Sequence, residues 1–185
     1  HPEVIGTMGQ TNNKIYLVEK VDDVKKLPLD VKQEIAYVSQ TTLSVDDTKD
    51  IIKEIKRHFL NVLEPKKNDI CYATTNRQEA VKKIAANCDY FLVIGASNSS
   101  NSLRLVEVAK NYGSKKAILV EDVDSLNLSI FDNIKNIGIT ASASSPEILV
   151  EKLVGKLKNS FDININESNY KKEDVYFKVP QKLKN

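Results

Sequence analysis

The segment Tyr90-Phe-Leu-Val-Ile94 is apolar at every position and stops at Gly95, where the chain turns into Ala-Ser-Asn-Ser-Ser-Asn-Ser102. A strand with one wet face would alternate polar and apolar residues, so an unbroken apolar run reads as a strand covered on both faces, as in a parallel sheet. Parallel neighbours need a crossover connection, usually a helix, and the run therefore demands alternating strands and helices. The expected fold class is α/β: repeated α/β units with mainly parallel sheets and a ligand site at the carboxyl ends of the strands.

The rest of the chain supplies those elements. Residues 15–19 (IYLVE) and 35–38 (IAYV) are β-prone. Ser44, with Asp47 three positions on, is a variant capping box that opens a helix with Val45, Ile51, Ile52, Ile55 and Phe59 at near-helical spacing, ended by Pro65. The polar stretch 64–68 (EPKKN) reads as a domain junction. Beyond it, residues 69–73 (DICYA) read as a strand with Cys71 at its mouth. Thr75 with Gln78 reads as a capping box for a helix turning Ala80, Val81, Ile84 and Ala85 inward. A helix around Leu103 to Asn111, strands at 117–120 and 137–139, and a helix with Pro146 in its first turn and Glu147 at its positive end follow. A β-like stretch at 175–179 ends a polar tail.

Composition narrows the function. The 185 residues are 41% hydrophobic and 28% charged, as in a globular protein, and no run approaches the length of a membrane helix. The first residues, HPEVIGTMGQ, lack a signal-peptide layout, and a start on His1 implies processing or a piece of a longer polypeptide. Lys+Arg 27 against Asp+Glu 25 leaves +2, too balanced for a nucleic-acid groove, so neither nucleic acid nor membrane is an expected partner. The lysine pairs 25–26, 66–67 and 171–172 read as solvated surface.

Four turns, Gln40-Thr41-Thr42, Cys71-Tyr-Ala-Thr74, Ser97-Asn-Ser-Ser-Asn101 and Ser142-Ala-Ser-Ser145, would lie at one or two neighbouring carboxyl edges. Small hydroxyl residues before a helix leave N–H groups pointing outward at its positive end, a setting for phosphate. The competing reading of each turn is plain N-capping. No Walker-type motif or spaced glycine fingerprint is present, which disfavours ordinary nucleotide binding. Of the two cysteines, Cys88 reads as a small core residue, whereas Cys71 is open to a role as nucleophile, metal ligand or strand-end residue. His58, inside the amphipathic helix, reads as surface or packing.

His1-Pro-Glu-Val with Gly6-Thr-Met-Gly-Gln10, Gln40-Thr-Thr-Leu-Ser-Val-Asp-Asp-Thr48, Asp69-Ile-Cys-Tyr-Ala-Thr-Thr-Asn-Arg-Gln78, Asn98-Ser-Ser-Asn-Ser102, Gly138-Ile-Thr-Ala with Ala143-Ser144 and Pro146, and the tail Val175-Tyr-Phe-Lys-Val-Pro180 occur in this order. Together they resemble the signatures of the 4-hydroxy-3-methylbut-2-enyl diphosphate reductase family, iron–sulfur enzymes that end the non-mevalonate isoprenoid pathway. The resemblance implies that Cys71 is one of three thiolates on a 4Fe-4S cluster with one iron open to substrate. It also implies that Ser99, Ser100, Asn101 and Ser144 hold the substrate diphosphate with His1 and Thr41 near it, and that Glu3 delivers protons through a network including Thr41. The implied reaction is reductive removal of a hydroxyl, giving isopentenyl and dimethylallyl diphosphates, with electrons from a ferredoxin- or flavodoxin-type donor.

Glu3, as proton donor, is expected to sit in an enclosed site or to take its proton through the diphosphate and Thr41. Two further cysteine ligands are expected upstream of His1, so the chain alone is expected not to hold a competent cluster. The division implied is 1–66 as the remainder of a central α/β domain, 67–158 as a C-terminal α/β domain, and 159–185 as a tail with a short strand. The setting expected is bacterial cytoplasm, or a plastid-type stroma. The rival readings are a non-catalytic phosphate- or diphosphate-binding α/β module and a structural interaction fragment whose hydroxyls only cap.

Overall fold

A computed structural model describes residues 1–12, 14–65, 69–167 and 179–183. In chain order the elements are α1 (Pro2–Met8), α2 (Val21–Val24), β1 (Glu34–Ala36), α3 (Val45–His58), β2 (Asn61–Leu63), α4 (Tyr72–Ile84), β3 (Tyr90–Ile94), α5 (Ser100–Asn111), β4 (Lys116–Val120), β5 (Ile137–Ala141) and α6 (Glu147–Ser160). They form two sheets, both wholly parallel: β1 beside β2, and β4-β3-β5 with β3 in the centre.

The expected buried strand is β3, and all of its residues are buried. Because side chains alternate across a strand, it feeds two cores. Phe91 and Val93 pack with Val81 and Ala85 and with Leu105, Val108 and Ala109 of α5. Tyr90, Leu92 and Ile94 face the other way, onto Leu153 and Leu157 of α6 and onto Val123 and Phe131. Helices therefore cover both faces, as the unbroken apolar run requires. Burying a side chain such as Leu92, which is 0% exposed, stabilises the fold by about 1.5–3 kcal/mol. Cys88 belongs to the first of these cores. Val24, Ile55 and Phe59 make a third, closing α2 and α3 over the smaller sheet with Ile35 and Val62.

Several local expectations are corrected. Residues 15–19 form no strand; they find no ladder partner among the described residues, and Val18 instead packs on the Val24–Ile55–Phe59 core. The stretch 69–73 is not a strand either. Helix α4 begins at Tyr72 with Cys71 as its N-cap, and the Thr75 N–H and hydroxyl both donate to the Cys71 carbonyl. The Thr75–Gln78 capping box is thereby lost, since Thr75 lies within the first turn and Gln78 faces the interior. After α3 the chain gives a further short strand, β2, that no periodicity signalled. Helix α5 begins at Ser100 rather than near Leu103, and Pro146 is the N-cap of α6. The α3 cap is as expected: Ser44 Oγ accepts from Asp47 N at 3.2 Å. Lys25 and Lys26 are exposed, whereas the lysine pairs 66–67 and 171–172 lie outside the described residues. So does the β-like stretch, apart from Val179, which carries no strand.

Helices α3, α4 and α5 meet along a polar seam. Lys82 Nζ, with its side chain only 10% exposed, lies 3.0 Å from Asp46 and 2.8 Å from Glu79, and the Tyr112 hydroxyl donates to Asp46. The Tyr112 hydrogen bond, reinforced by Lys82, holds the Asp46 carboxyl below its ordinary range. A depressed carboxylate stabilises the fold above its unfolded pKa, and that contribution is lost as the pH falls through the folded value.

The end of β3 is tightly fitted. A Cβ on Gly95 would lie 2.7 Å from Ser102 Cβ, closer still to its Oγ, and 3.3 Å from Ser142 Cβ. Gly95→Ala is expected to destabilise the protein by about 1–3 kcal/mol, the cost of overpacking a filled interior, as measured by urea unfolding. Parental stability would show that Ser102 and Ser142 can yield.

Candidate active site

The turns at the carboxyl edges of both sheets are linked by hydrogen bonds to each other and to α1. His1 is the hub. Its Nδ1 accepts from Gln40 Nε2 at 2.8 Å and from the Glu3 N–H at 3.3 Å, and its Nε2 lies 2.7 Å from Ser100 Oγ. Gln40 Nε2 and the amide can only donate, so Nδ1 carries no proton and Nε2–H points to the Ser100 hydroxyl. Pro2 in the first turn of α1 fixes the backbone that sets His1 as its N-cap.

Glu3 and Thr41 pair twice. Thr41 N donates to Glu3 Oε1 at 3.1 Å and Thr41 Oγ1 donates to the same oxygen at 3.2 Å. The Thr41 carbonyl in turn accepts from the Cys71 N–H at 3.1 Å. Carboxylate, threonine and the start of α4 therefore form one continuous strip. Glu3 is half-buried, so the enclosure expected for it is not supplied by the described residues.

On the larger sheet, Ser99 caps α5, its Oγ accepting from Ser102 N at 3.3 Å, so this hydroxyl does perform the plain capping role. Ser100 is committed to His1 instead. Asn101 is 5% exposed; its Nδ2 donates to Ser142 Oγ at 3.1 Å, while its Oδ1 has no partner among the described residues. Ser142 N and Ser145 Oγ both donate to the Ile94 carbonyl, at 2.8 and 3.1 Å. Ser144, between them, is exposed. The first turn of α5 opens on this edge without an acidic residue and favours an anion there, whereas the first turn of α6 already carries Glu147.

His1, Glu3, Thr41, Ser100 and Cys71 are thus joined through direct contacts, with Ser99 and Asn101 in the same turn as Ser100. Ser144 shares its turn with Ser142 and Ser145, and no hydrogen bond ties it to the others. Sequence reasoning missed Gln40 as the partner of His1, Ser142 as the partner of Asn101, and Glu121, whose Oε1 accepts from Ser97 N at 2.7 Å. That bond holds the Glu121 carboxyl below its ordinary range. Gln78, expected as a capping residue, is instead buried, and Thr74, Gln78, Val81 and Ala85 are spaced as one buried face of a helix.

The cysteines divide as expected. Cys88 is buried, its Sγ donates to the Ile84 carbonyl at 3.2 Å, and burial, with a smaller effect of Asp89, pushes its thiol up. Cys71 is exposed and its side chain makes no capping bond, leaving the thiol at the N-terminal end of α4 available to an external partner. Among the described residues no group of three or more His, Cys, Asp or Glu side chains could hold a metal ion. Cys71 could thus contribute one ligand to a metal group and does not make a complete site with the described residues.

A family model described as LytB protein matches residues 1–158. The chain belongs to the LytB family. Its relatives include the 4-hydroxy-3-methylbut-2-enyl diphosphate reductases of Actinobacillus succinogenes, 46% identical, and Methylocella silvestris, 45% identical, each match covering 100% of this chain. This LytB chain spans 59% and 58% of the lengths of those two relatives. A solved structure of the E-1-hydroxy-2-methyl-but-2-enyl-4-diphosphate reductase from Plasmodium falciparum matches with a TM-score of 0.80 and 39% identity, over 86% of this chain and 50% of that one. The α/β architecture described above is thus that of the LytB reductases.

In metal-free protein, iodoacetamide is expected to modify Cys71 at least about tenfold faster than Cys88, as read by peptide mass after timed quenching. Equal rates would contradict the separation of the two thiols.

Proposed function

We propose that the protein of which this chain is part reduces 4-hydroxy-3-methylbut-2-enyl diphosphate to isopentenyl and dimethylallyl diphosphates. The names of the relatives support that substrate. The observation that carries the reading is the hydrogen-bonded strip from Ser100 through His1 to the Glu3–Thr41–Cys71 contacts, which sets an anion-binding helix end beside a carboxyl group and an available thiol.

In this reading the diphosphate lies against the first turn of α5. Ser99, Ser100 and Asn101, with Ser144 from the neighbouring turn, donate to its oxygens, and the helix end supplies positive potential without a mobile side chain. His1, donating through Nε2 to the Ser100 oxygen, leaves the Ser100 hydroxyl proton free to point to a diphosphate oxygen. The reaction cleaves the bond between carbon and the terminal hydroxyl; two electrons and two protons enter, a C–H bond forms, and water leaves. Glu3 delivers the proton that lets the hydroxyl depart as water, and the Thr41 N–H and hydroxyl hold one of its carboxyl oxygens so that the other faces the substrate.

Cys71 would be one ligand of a 4Fe-4S cluster, which when bound supplies electrons and a Lewis-acidic iron. Its other thiolate ligands come from outside these 185 residues, since Cys88, the remaining cysteine, lies in the core. A ferredoxin- or flavodoxin-type protein serves as reductant. The bacterial relatives support a cytoplasmic setting.

Two substitutions in the full-length protein test the assignment. Cys71→Ser is expected to abolish turnover and the cluster's visible absorption; retention of both would remove Cys71 from the ligand set. Glu3→Gln is expected to retain the cluster and bind the diphosphate, with kcat lowered about 10²–10⁴-fold. Near-parental kcat would sink the proton-delivery role.

A further inference from the structure

Gln78 is 0% exposed, and both ends of its side-chain amide are engaged by one loop. Its Nε2 donates to the Leu43 carbonyl at 2.8 Å, and its Oε1 accepts from the Val45 N–H at 3.0 Å. A glutamine amide thus completes the main chain of the segment leading into α3 as a neighbouring strand would. The orientation is unambiguous, because turning the amide over would set donor against donor and acceptor against acceptor. This segment follows directly on Thr41, whose own carbonyl is held by the Cys71 N–H. Two fastenings from α4, one at its first residues and one on its buried face, therefore fix the loop on which the Glu3 carboxyl rests.

We propose that Gln78 is a positioning residue for the reduction: its amide holds the Thr41 loop, and through it Glu3, at a fixed place relative to Cys71. This rests on the function proposed above. Neither neighbouring fastening can substitute for it. The Cys71–Thr41 bond and the bond from Ser39 N to Asp69 hold the loop before Thr42 and do not reach its entry into α3. The Lys82–Asp46–Tyr112 cluster grips α3 beyond the loop, and its charges are matched to one another and to Glu79. Removing Gln78 leaves the part-buried Leu43 carbonyl and Val45 N–H without this partner, a cost the loop relieves by moving toward water. A displacement of about 1 Å at a reacting group lowers a rate by about 10²-fold.

Two variants of the full-length protein decide the matter. Gln78→Met removes both bonds while keeping the side-chain length. In the holoenzyme kcat is expected to fall about 10²-fold with KM for the diphosphate substrate nearly unchanged. In metal-free protein, amide hydrogen exchange is expected to accelerate across residues 41–45 and at Cys71, and to stay slow in β3. Gln78→Glu is the second arm, informative even if Gln78→Met does not fold. A protonated carboxyl has the shape of the amide, donating to Leu43 and accepting from Val45, whereas a carboxylate repels the Leu43 carbonyl. The charged groups around this site are Asp46 and Asp47 at the entry to α3, Lys82 and Glu79 on α4, and Arg104 and Glu107 of α5, which line the same cleft as Leu43. Burial favours the neutral acid, so Gln78→Glu is expected to approach parental kcat at acidic pH and to lose activity through a new ionisation as the pH rises. Parental kcat and exchange in Gln78→Met, acceleration that includes β3, or a Gln78→Glu pH profile parallel to the parent's would each overturn the assignment. Should the parent not turn over this substrate, the proposed function falls, while the exchange comparison still decides whether Gln78 holds the loop.

Discussion

The carbonyl oxygen of Ile94, the last residue of the central strand, receives both the Ser142 N–H and the Ser145 hydroxyl. On the opposite side the next residue, Gly95, donates its N–H to the Val120 carbonyl. The end of β3 is thus joined to both neighbours at the point where the chain leaves the sheet, and Ser142 and Ser145 take their positions from that junction. Ser142 then accepts from Asn101, the turn before α5 is held to the turn before α6, and Ser100 is set where His1 can reach it. Buried backbone groups must be paired, and here the pairing of one strand end also sets the distance between two helix N-termini.

The electrostatics of the edge follow the same economy. The arginine that lines the cleft beside His1 and Ser100, Arg104, is engaged by Glu107 and lies 3.5 Å from Asp47, so it is already neutralised. Positive potential comes instead from helix ends and main-chain N–H groups, which are fixed by the fold and undergo no reorganisation when a charged ligand arrives.

What could be seen in the sequence was what is written locally. The central strand was visible because five apolar residues and a glycine leave few alternatives, and the α3 cap because Ser44 and Asp47 sit at the required spacing. The hydroxyl-rich turns were visible as a class, while the work of each hydroxyl was not: Ser99 caps, Ser145 ties a strand end, and Ser144 faces outward. The β-prone look of residues 69–73 misled because the buried face that includes Thr74, Gln78 and Val81 lets the helix extend back to Tyr72. Short strands such as β2 carry too few residues for a period to show. The contact between His1 and Ser100 spans 99 positions, and only the family pattern, not local chemistry, suggested that the two would meet.

The bond between Asn101 and Ser142 links residues 41 positions apart across a parallel crossover, and the one between His1 and Ser100 reaches further. Contacts of such separation close late in folding, because loop entropy must be lost before they return anything. Local helices and the strand cores can form while the serine-lined edge is still open. The diphosphate affinity proposed for that edge would consequently report the completion of folding rather than the presence of secondary structure, and a chain halted short of its last crossover would carry every residue of the cradle without the cradle itself.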